Sequence, residues 1–404
     1  MTDGIPIKTS TRTIMYASHI DNFIYKHYAE KLNIQYNQWV EANQIDENVI
    51  AYRFKEGEKG KSNIDYAADV INAIRKFETC YIFIGDFKGY FDSLNHHKLK
   101  ANLCEVLGVD RLSHDWFKVF QSVTKYSYYN KRVLNKFCGS YKKLRRLKQY
   151  TYFKNPKGFR KFKELYPVQT NNTEVGIPQG TAISALLSNA YAIHFDIGVK
   201  KLVNQYGGIY RRYSDDFIIV VPTRTLQHVY QFESLKKTIY LLKDKEALEI
   251  KEDKTGSYLY NHETITNLKE DKHDKIDYLG FVFDGINVKM KDKSPYKFYR
   301  NAYKLIRKTK KVKGRKGLKK IPYRKRLYRL YTNLDMHSGY YGNFITYAEN
   351  AQTKFDRISP DTSNLMMDQI KNRKIHIERM LGYNINVKVL ADISILVLIL
   401  LQIK

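Results

Sequence analysis

Three cysteines in 404 residues, Cys80, Cys104 and Cys138, are too few and too scattered for a disulfide framework, and none sits in a Cys-x-x-Cys pair or beside a histidine. Neither a stapled scaffold nor a zinc site is indicated, and a reduced, cytoplasmic setting is the expectation. The first twenty residues contain no apolar core segment, so they do not read as a secretory signal. Long apolar runs are equally scarce. The most aliphatic stretch, residues 393–401, spans nine positions, against the roughly 20 needed to cross a bilayer. It is expected to be a buried helix or a subunit contact, with no membrane partner. No internal repeat or low-complexity linker is present. The shortage with the largest consequence is of acid, since 41 Asp+Glu face 70 Lys+Arg for a formal net charge of +29. A field of that sign and size calls for a polyanionic partner. Aromatics make up 14% of the chain, with 34 Tyr, which supplies either stacking surfaces for bases or a tyrosine-rich core.

What is present divides into helical and strand-like stretches. Residues 16–39 repeat apolar positions at helical spacing (Ile20, Phe23, Ile24, Tyr28, Leu32) and predict one or two helices. Residues 49–55 predict a short strand, and 56–61 a glycine-containing basic turn in which Arg53, Lys59 and Lys61 are candidates to meet a phosphate. Residues 64–77 return to helical spacing. Residues 79–86 form an apolar strand that ends in an acid, Asp86, the usual way to deliver a carboxylate to a sheet edge. Helices are expected over 100–123. Residues 125–163 then turn basic and aromatic. Gly176-Ile-Pro-Gln-Gly-Thr-Ala-Ile-Ser184 is a turn-rich segment leading into a long helix over 185–203, with Gln179 held at its mouth.

The run Ile209-Tyr-Arg-Arg-Tyr-Ser-Asp-Asp-Phe-Ile-Ile-Val-Val221 is β-prone on both sides of two adjacent acids, so it predicts a hairpin with Asp215 and Asp216 at its tip. Like charges there repel, and something positive is expected between them. A helix over 225–245, a strand over 248–255 ending at Lys254, and a hairpin over 277–287 with an Asp-Gly turn follow. Residues 300–329 carry fifteen Lys and Arg and no acid. A stretch so one-sided repels itself unless an anion is near, so nucleic-acid contact is expected from Lys308, Lys311, Arg315, Lys319, Arg324 and Arg326. Residues 331–404 read as mixed helix.

Taken as an ordered set, Asp86-Phe-Lys-Gly-Tyr-Phe-Asp-Ser-Leu, Gly176-Ile-Pro-Gln-Gly-Thr-Ala-Ile-Ser-Ala-Leu-Leu-Ser-Asn-Ala-Tyr, Tyr213-Ser-Asp-Asp, Lys254-Thr and Tyr278-Leu-Gly-Phe resemble the motifs of bacterial reverse transcriptases, of the retron, group II intron and abortive-infection or defence-associated kinds. The resemblance covers roughly residues 45–330. It implies an α+β fold: a right-hand polymerase with fingers, a palm of antiparallel sheet packed on helices, and a helical basic thumb. The implied boundaries are 1–78 for the N-terminal segment and fingers, 79–290 for the palm with a basic insertion at 125–170, 291–335 for the thumb, and 336–404 for a helical C-terminal extension.

The implied chemistry is two-metal phosphoryl transfer with two Mg²⁺ ions, Mn²⁺ being a substitute. Asp86, Asp215 and Asp216 would be the carboxylate ligands, joined by the backbone carbonyl of Phe87. Lys254 matches the lysine that protonates leaving pyrophosphate. Phe91 matches the bulky residue that excludes a 2′-hydroxyl, Gln179 the glutamine at the templating pair, and Tyr278, Leu279 and Gly280 the primer grip. Arg53, Lys59 and Lys61 fall where the triphosphate binds. The implied partners are an RNA template or dedicated non-coding RNA, a DNA primer or product, deoxynucleotides, and an accessory protein or second copy of the chain; the implied role is antiphage defence. Two alternatives stay open: a template-independent or protein-primed DNA polymerase, and an RNA-binding protein with a vestigial polymerase centre. The chain departs from the family at Ser214, where Ala is usual, and at Thr181-Ala182 and Ala185, where intron enzymes commonly have Gly and Pro.

Overall fold

The computed structural model describes residues 13–55, 57, 60–226, 228–331 and 343–382. Lys59 and the aliphatic stretch 393–401 lie outside the described residues. The chain forms two compact units, one from residues up to Gly60 with Thr79–Leu259, the other from Lys61–Glu78 with the residues from Tyr260 onward.

In chain order the elements are α1 (His19–Ala42), α2 (Asn63–Phe77), β1 (Thr79–Asp86), α3 (Tyr90–Ser93), α4 (His96–Leu107), α5 (His114–Thr124), β2 (Ser127–Tyr128), α6 (Lys131–Cys138), α7 (Tyr141–Arg146), α8 (Pro156–Leu165), β3 (Gln169–Thr170), α9 (Ser184–Tyr191) and α10 (Ile193–Asn204). There follow β4 (Ile209–Tyr213), β5 (Asp216–Pro222), α11 (Val229–Lys245), β6 (Gly256–Asn261), β7 (Thr264–Asn267), β8 (Lys272–His273), β9 (Ile276–Tyr278), β10 (Phe281–Phe283), β11 (Asn287–Met290), α12 (Lys293–Arg315), α13 (Arg324–Tyr331), α14 (Phe344–Ile358), β12 (Ser363–Asn364) and α15 (Arg373–Leu381).

The first unit is built on antiparallel strands in the order β4-β5-β1. Both β1 (TCYIFIGD) and β5 (DFIIVVP) are buried along nearly their whole length, which is why they read as continuous apolar runs rather than alternating ones. Gly85 has a local reason: a Cβ there would come within 2.2 Å of the Phe217 ring on the neighbouring strand. Phe87, Phe195 and Phe217 pack with ring centroids 5.3–6.0 Å apart and are fully buried. Each such ring contributes about 2–3 kcal/mol of transfer free energy. Helix α1 turns Leu32, Tyr36 and Val40 inward at helical spacing and starts at Ser18, whose hydroxyl accepts from the Asp21 N–H.

The second unit holds α2, packed on α14 through an Asp65–Lys354 ion pair, and a sheet in the order β12-β11-β10-β9. The cationic run of residues 300–329 falls on α12, α13 and the connection between them. Helix α12 buries Ala302, Leu305 and Ile306 against Leu327, Ile377 and Leu381, so its lysines and arginines form the outer face of an amphipathic helix.

Five local expectations are corrected. Residues 49–55 are not a strand: Val49 makes a single bridge to Arg212, after which Tyr52 takes a φ of 60° and the Arg53 guanidinium folds back on Asp46 and Val49. Residues 248–255 are not one either. Ile250 bridges Phe87, and the chain then tightens into a 3₁₀ turn at Glu252–Lys254, closed by the Thr255 hydroxyl donating to the Lys251 carbonyl at 2.6 Å. The long helix over 185–203 is two helices meeting at Ala192, and the helix expected from 225 begins at Val229. Residues 277–287 belong to two hairpins, β9-β10 and β10-β11, the second carrying the expected Asp284-Gly285 turn.

Candidate active site

Strand register places the acids. Asp86, the last residue of β1, is paired directly with Asp216, the first residue of β5. The β4-β5 hairpin closes from Tyr213 to Asp216 through a two-residue loop, Ser214-Asp215. Ser214 has a φ of 60° and Asp215 does not share that sign, the pattern of a II′ turn, whose twist suits a tight hairpin. The Phe87 N–H donates to the Asp215 carbonyl at 2.9 Å, so main-chain hydrogen bonding extends past the strand end and fixes the tip beside β1. Three carboxylates from two distant segments thus share one sheet edge.

Two ammonium groups answer them. Lys251 Nζ donates to Asp86 Oδ1 at 2.7 Å and Lys254 Nζ to Asp86 Oδ2 at 2.6 Å, so each oxygen of a carboxylate that is 7% exposed has its own cation. The segment carrying them is held alongside β1 by Lys88 N–H donating to Glu249 O (2.7 Å) and Lys251 N–H to Asp86 O (2.8 Å). The 3₁₀ turn then brings Lys254 round to the same carboxylate. Asp86 holds the Lys254 ammonium above its usual pKa. The Asp216 carboxyl is pushed up to about 6, first by burial and then by the negative charge of Asp215 and Asp86.

The tip rests on a buried ion pair. Arg212, with a fully buried side chain, donates from Nε and Nη2 to Asp196 of α10 at 2.7 and 2.6 Å, and from Nη1 to the Ser214 carbonyl at 3.0 Å. Tyr210 donates its hydroxyl to the same Asp196 carboxylate at 2.6 Å. The bidentate pair therefore sets the height of the turn. The Ser214 hydroxyl is itself buried and meets no partner among the described residues, so at this position the main chain, not the side chain, is used.

The remaining sequence candidates distribute as follows. Phe87 buries its ring against Tyr90 at 5.3 Å and offers the site only its main chain. Phe91, on α3, is tied to the Gly176–Gly180 loop by its carbonyl, which accepts from the Ile177 N–H at 2.8 Å. Gln179 accepts at its carbonyl from Met15 N–H at 2.8 Å, and Gly180, at a φ of 120°, has no room for a Cβ beside the Met15 carbonyl. The structure does not bring Arg53 to the acids: its guanidinium is occupied by Asn37, Asp46 and the Val49 carbonyl. Lys61, Tyr278, Leu279, Gly280 and the α12–α13 cations belong to the second unit. There Lys61 pairs with Asp69 at 3.6 Å, and Leu279 and Gly280 form the β9-β10 turn at φ values of 48° and 89°. Lys308 lies 5.1 Å over the Tyr323 ring.

Lys251, Arg212 and Asp196 were not anticipated from sequence. Lys251 had a faint signal in its i,i+3 spacing to Lys254. Asp196 had a clearer one, as a lone acid on the apolar face of a helix between Phe195 and Val199.

The donor set suits a hard cation: all three acids offer oxygen, and the crowding that raises Asp216 is what a dication relieves. Among the described residues no three His, Cys, Asp or Glu side chains already converge as a metal cage; both Asp86 oxygens are turned to the lysines. Asp86, Asp215 and Asp216, with the Phe87 carbonyl, are the oxygen groups at this end of the strands that could hold a dication. Among the described residues no helix is long and apolar enough to cross a membrane.

No family model and no curated protein matches the chain. Solved structures of similar shape include apo telomerase from Candida tropicalis truncated from its C-terminal domain, at 15% identity and a TM-score of 0.41, covering 65% of this chain and 44% of that one. Telomerase from Candida tropicalis in complex with a fragment of telomeric RNA aligns at 14% identity and 0.43, covering 90% and 56%. Telomerase from Candida albicans in the corresponding complex aligns at 10% and 0.41, covering 90% and 55%. The chain spans about half the length of these structures.

Proposed function

We propose that the chain is an RNA-templated DNA polymerase that extends a 3′ end with deoxynucleotides. The observation that carries this reading is the register of Asp86 opposite Asp216, with Asp215 at the adjoining turn and Lys254 on Asp86. A structural hairpin has no use for three acids at one edge, whereas phosphoryl transfer does. The order of the motifs along the chain, set out above, adds the template and the deoxyribose to that chemistry.

In this reading Asp86, Asp215 and Asp216, with the Phe87 carbonyl, would hold the Mg²⁺ ions, and Arg212 keeps the turn that carries Asp215 and Asp216 in place by holding the Ser214 carbonyl. Bound Mg²⁺ would supply a more acidic primer hydroxyl and neutralise the growing phosphate charge. Lys254 donates a proton to the departing pyrophosphate once Asp86 no longer holds its ammonium. Phe91 excludes the 2′-hydroxyl of a ribonucleotide, and Gln179 contacts the templating pair. Residues 1–78 act as fingers, 79–290 as palm, 291–335 as thumb, with 336–404 as extension; the α12–α13 cations grip the phosphates of the RNA–DNA duplex. The bacterial, retron-like affinity of the motifs supports a dedicated non-coding RNA and a role in antiphage defence.

Primer extension in Mg²⁺ with the parent and Asp215→Asn tests the reading. Incorporation that depends on the RNA template and vanishes in the variant supports it. Equal incorporation by both proteins overturns the mechanism, and incorporation without template overturns the templated part.

A further inference from the structure

Residues 126–170 form an insertion within the first unit, and its chemistry is not used by the acidic edge. It contains thirteen Lys and Arg and one acid, Glu164. Three short helices, α6, α7 and α8, are each capped by a side chain, from Asn130, Ser140 and Asn155. They close around a small aromatic core in which Phe162 is fully buried, with Tyr129, Phe137, Phe153 and Tyr166 at centroid distances of 5.0–5.3 Å. Several apolar or aromatic side chains that could have sealed a larger core stay outside: Tyr150 is 64% and Leu147 67% exposed, and Tyr141 and Phe159 are also exposed.

All thirteen cations are exposed. Among the described residues none of them forms an ion pair with an acid, in contrast to the lysines elsewhere in the unit that pair with Asp46, Asp86, Glu233 or Glu246. A shell of like charge around so small a core repels itself, and the energy of that repulsion is recovered only when an anion spans it. Phosphates alone would suit any polyanion. The exposed Tyr150 and Tyr141, set among Lys142, Lys143, Arg145, Arg146 and Lys148, add flat faces on which unpaired bases stack.

The insertion leaves the unit through a two-stranded neck, β2 paired with β3 (Ser127 with Thr170, Tyr128 with Gln169). Asn171, just past the neck, donates to the carbonyls of Thr124 at 2.9 Å and Val175 at 3.0 Å, and His96 Nε2 bonds Gly176 O at 2.8 Å. The neck is thus rooted at the start of the Gly176–Gly180 loop.

We propose that the insertion is a separate binding site for single-stranded nucleic acid, which its cations hold by the phosphates and Tyr150 and Tyr141 by the bases. This rests on the insertion's own charge and exposure and stands whether or not the chain polymerises.

The test is fluorescence anisotropy with a labelled oligouridylate of about 20 nucleotides, long enough to span more than one such site, using the full chain carrying Asp215→Asn so that turnover is absent. Replacing Arg145, Arg146, Arg160 and Lys161 together by Gln should weaken binding at least about tenfold near 0.1 M salt and flatten the salt slope by about 3, as loss of four single-strand phosphate contacts requires. Unchanged affinity and slope, with circular dichroism matching the parent, overturn the site. Tyr150→Ala should weaken the oligouridylate by about five- to tenfold and leave a blunt duplex of the same length unaffected. An equal loss on the duplex, or displacement of the probe by polyglutamate as readily as by unlabelled oligouridylate, overturns the single-strand assignment.

Discussion

Lys251 grips Asp86 twice, its backbone N–H donating to the Asp86 carbonyl at 2.8 Å and its Nζ to Oδ1 at 2.7 Å. The main-chain bond registers the 249–251 segment against the end of β1, and the ammonium neutralises half of the carboxylate that Lys254 neutralises from the other side. Lys251 is therefore a positioning residue whose charge is needed most when no divalent cation shares the site.

Lys251→Ala should cost about 1 kcal/mol in chelator, since a half-screened hydrogen bond to a charged group is lost while Lys254 remains. Thermal melting would show this as a drop of about 2 °C or somewhat more, and added Mg²⁺ should narrow the gap. A gap that Mg²⁺ leaves untouched would place Lys251 outside the electrostatics of the acids.

Asp216 predicts a pH dependence of stability. Its carboxyl, at 3.8 when unperturbed, is raised to about 6 in the fold. Between those values the folded chain binds more protons than the unfolded one, so stability from this group is fully present below the lower value and is lost as pH rises through the upper. Urea midpoints of Asp216→Asn should exceed the parent's at pH 7.5 and meet them near pH 3.5. Parallel curves across that range would sink the assignment.

Breaking the buried pair from one side should be among the most damaging changes in the first unit. Arg212→Met leaves Asp196 buried without its cation and releases the Ser214 carbonyl, at a cost of about 3–5 kcal/mol. Denaturant unfolding measures it. The double variant Arg212→Met, Asp196→Leu should recover much of the stability while leaving incorporation low, because the turn is still unsupported.

Phe91→Ala should raise ribonucleotide incorporation relative to deoxynucleotide by about tenfold or more. Competition between the two triphosphates in primer extension reads the ratio directly, and an unchanged ratio removes Phe91 from sugar selection.

What sequence could convey differs by interaction range. Strand β1 has the bounds its apolar run suggests, because these are decided by local pattern; the acidic hairpin turns one residue earlier than its paired acids suggest, at Ser214-Asp215, with Asp216 already paired as the first residue of β5. Residues 49–55 and 248–255 have the same β-prone composition, yet each finds only one bridging residue in the fold, and a strand without a continuous ladder is not a strand. Arg53 illustrates the converse: a cation in a basic segment looks available until Asp46 and Asn37, brought close by the fold, occupy it. The partners of Asp86, 165 and 168 residues away, are invisible to any local rule.

The Asp196–Arg212 pair also changes how relatives of this chain can be recognised. The two residues stand 16 apart, and Arg212 precedes the turn it supports by two. A search keyed to the adjacent acids alone accepts any charged hairpin. Requiring a buried-helix acid 16 positions before an arginine that itself sits two before a small residue and paired acids asks for the support as well as the tip, and natural variation at position 196 should track variation at 212.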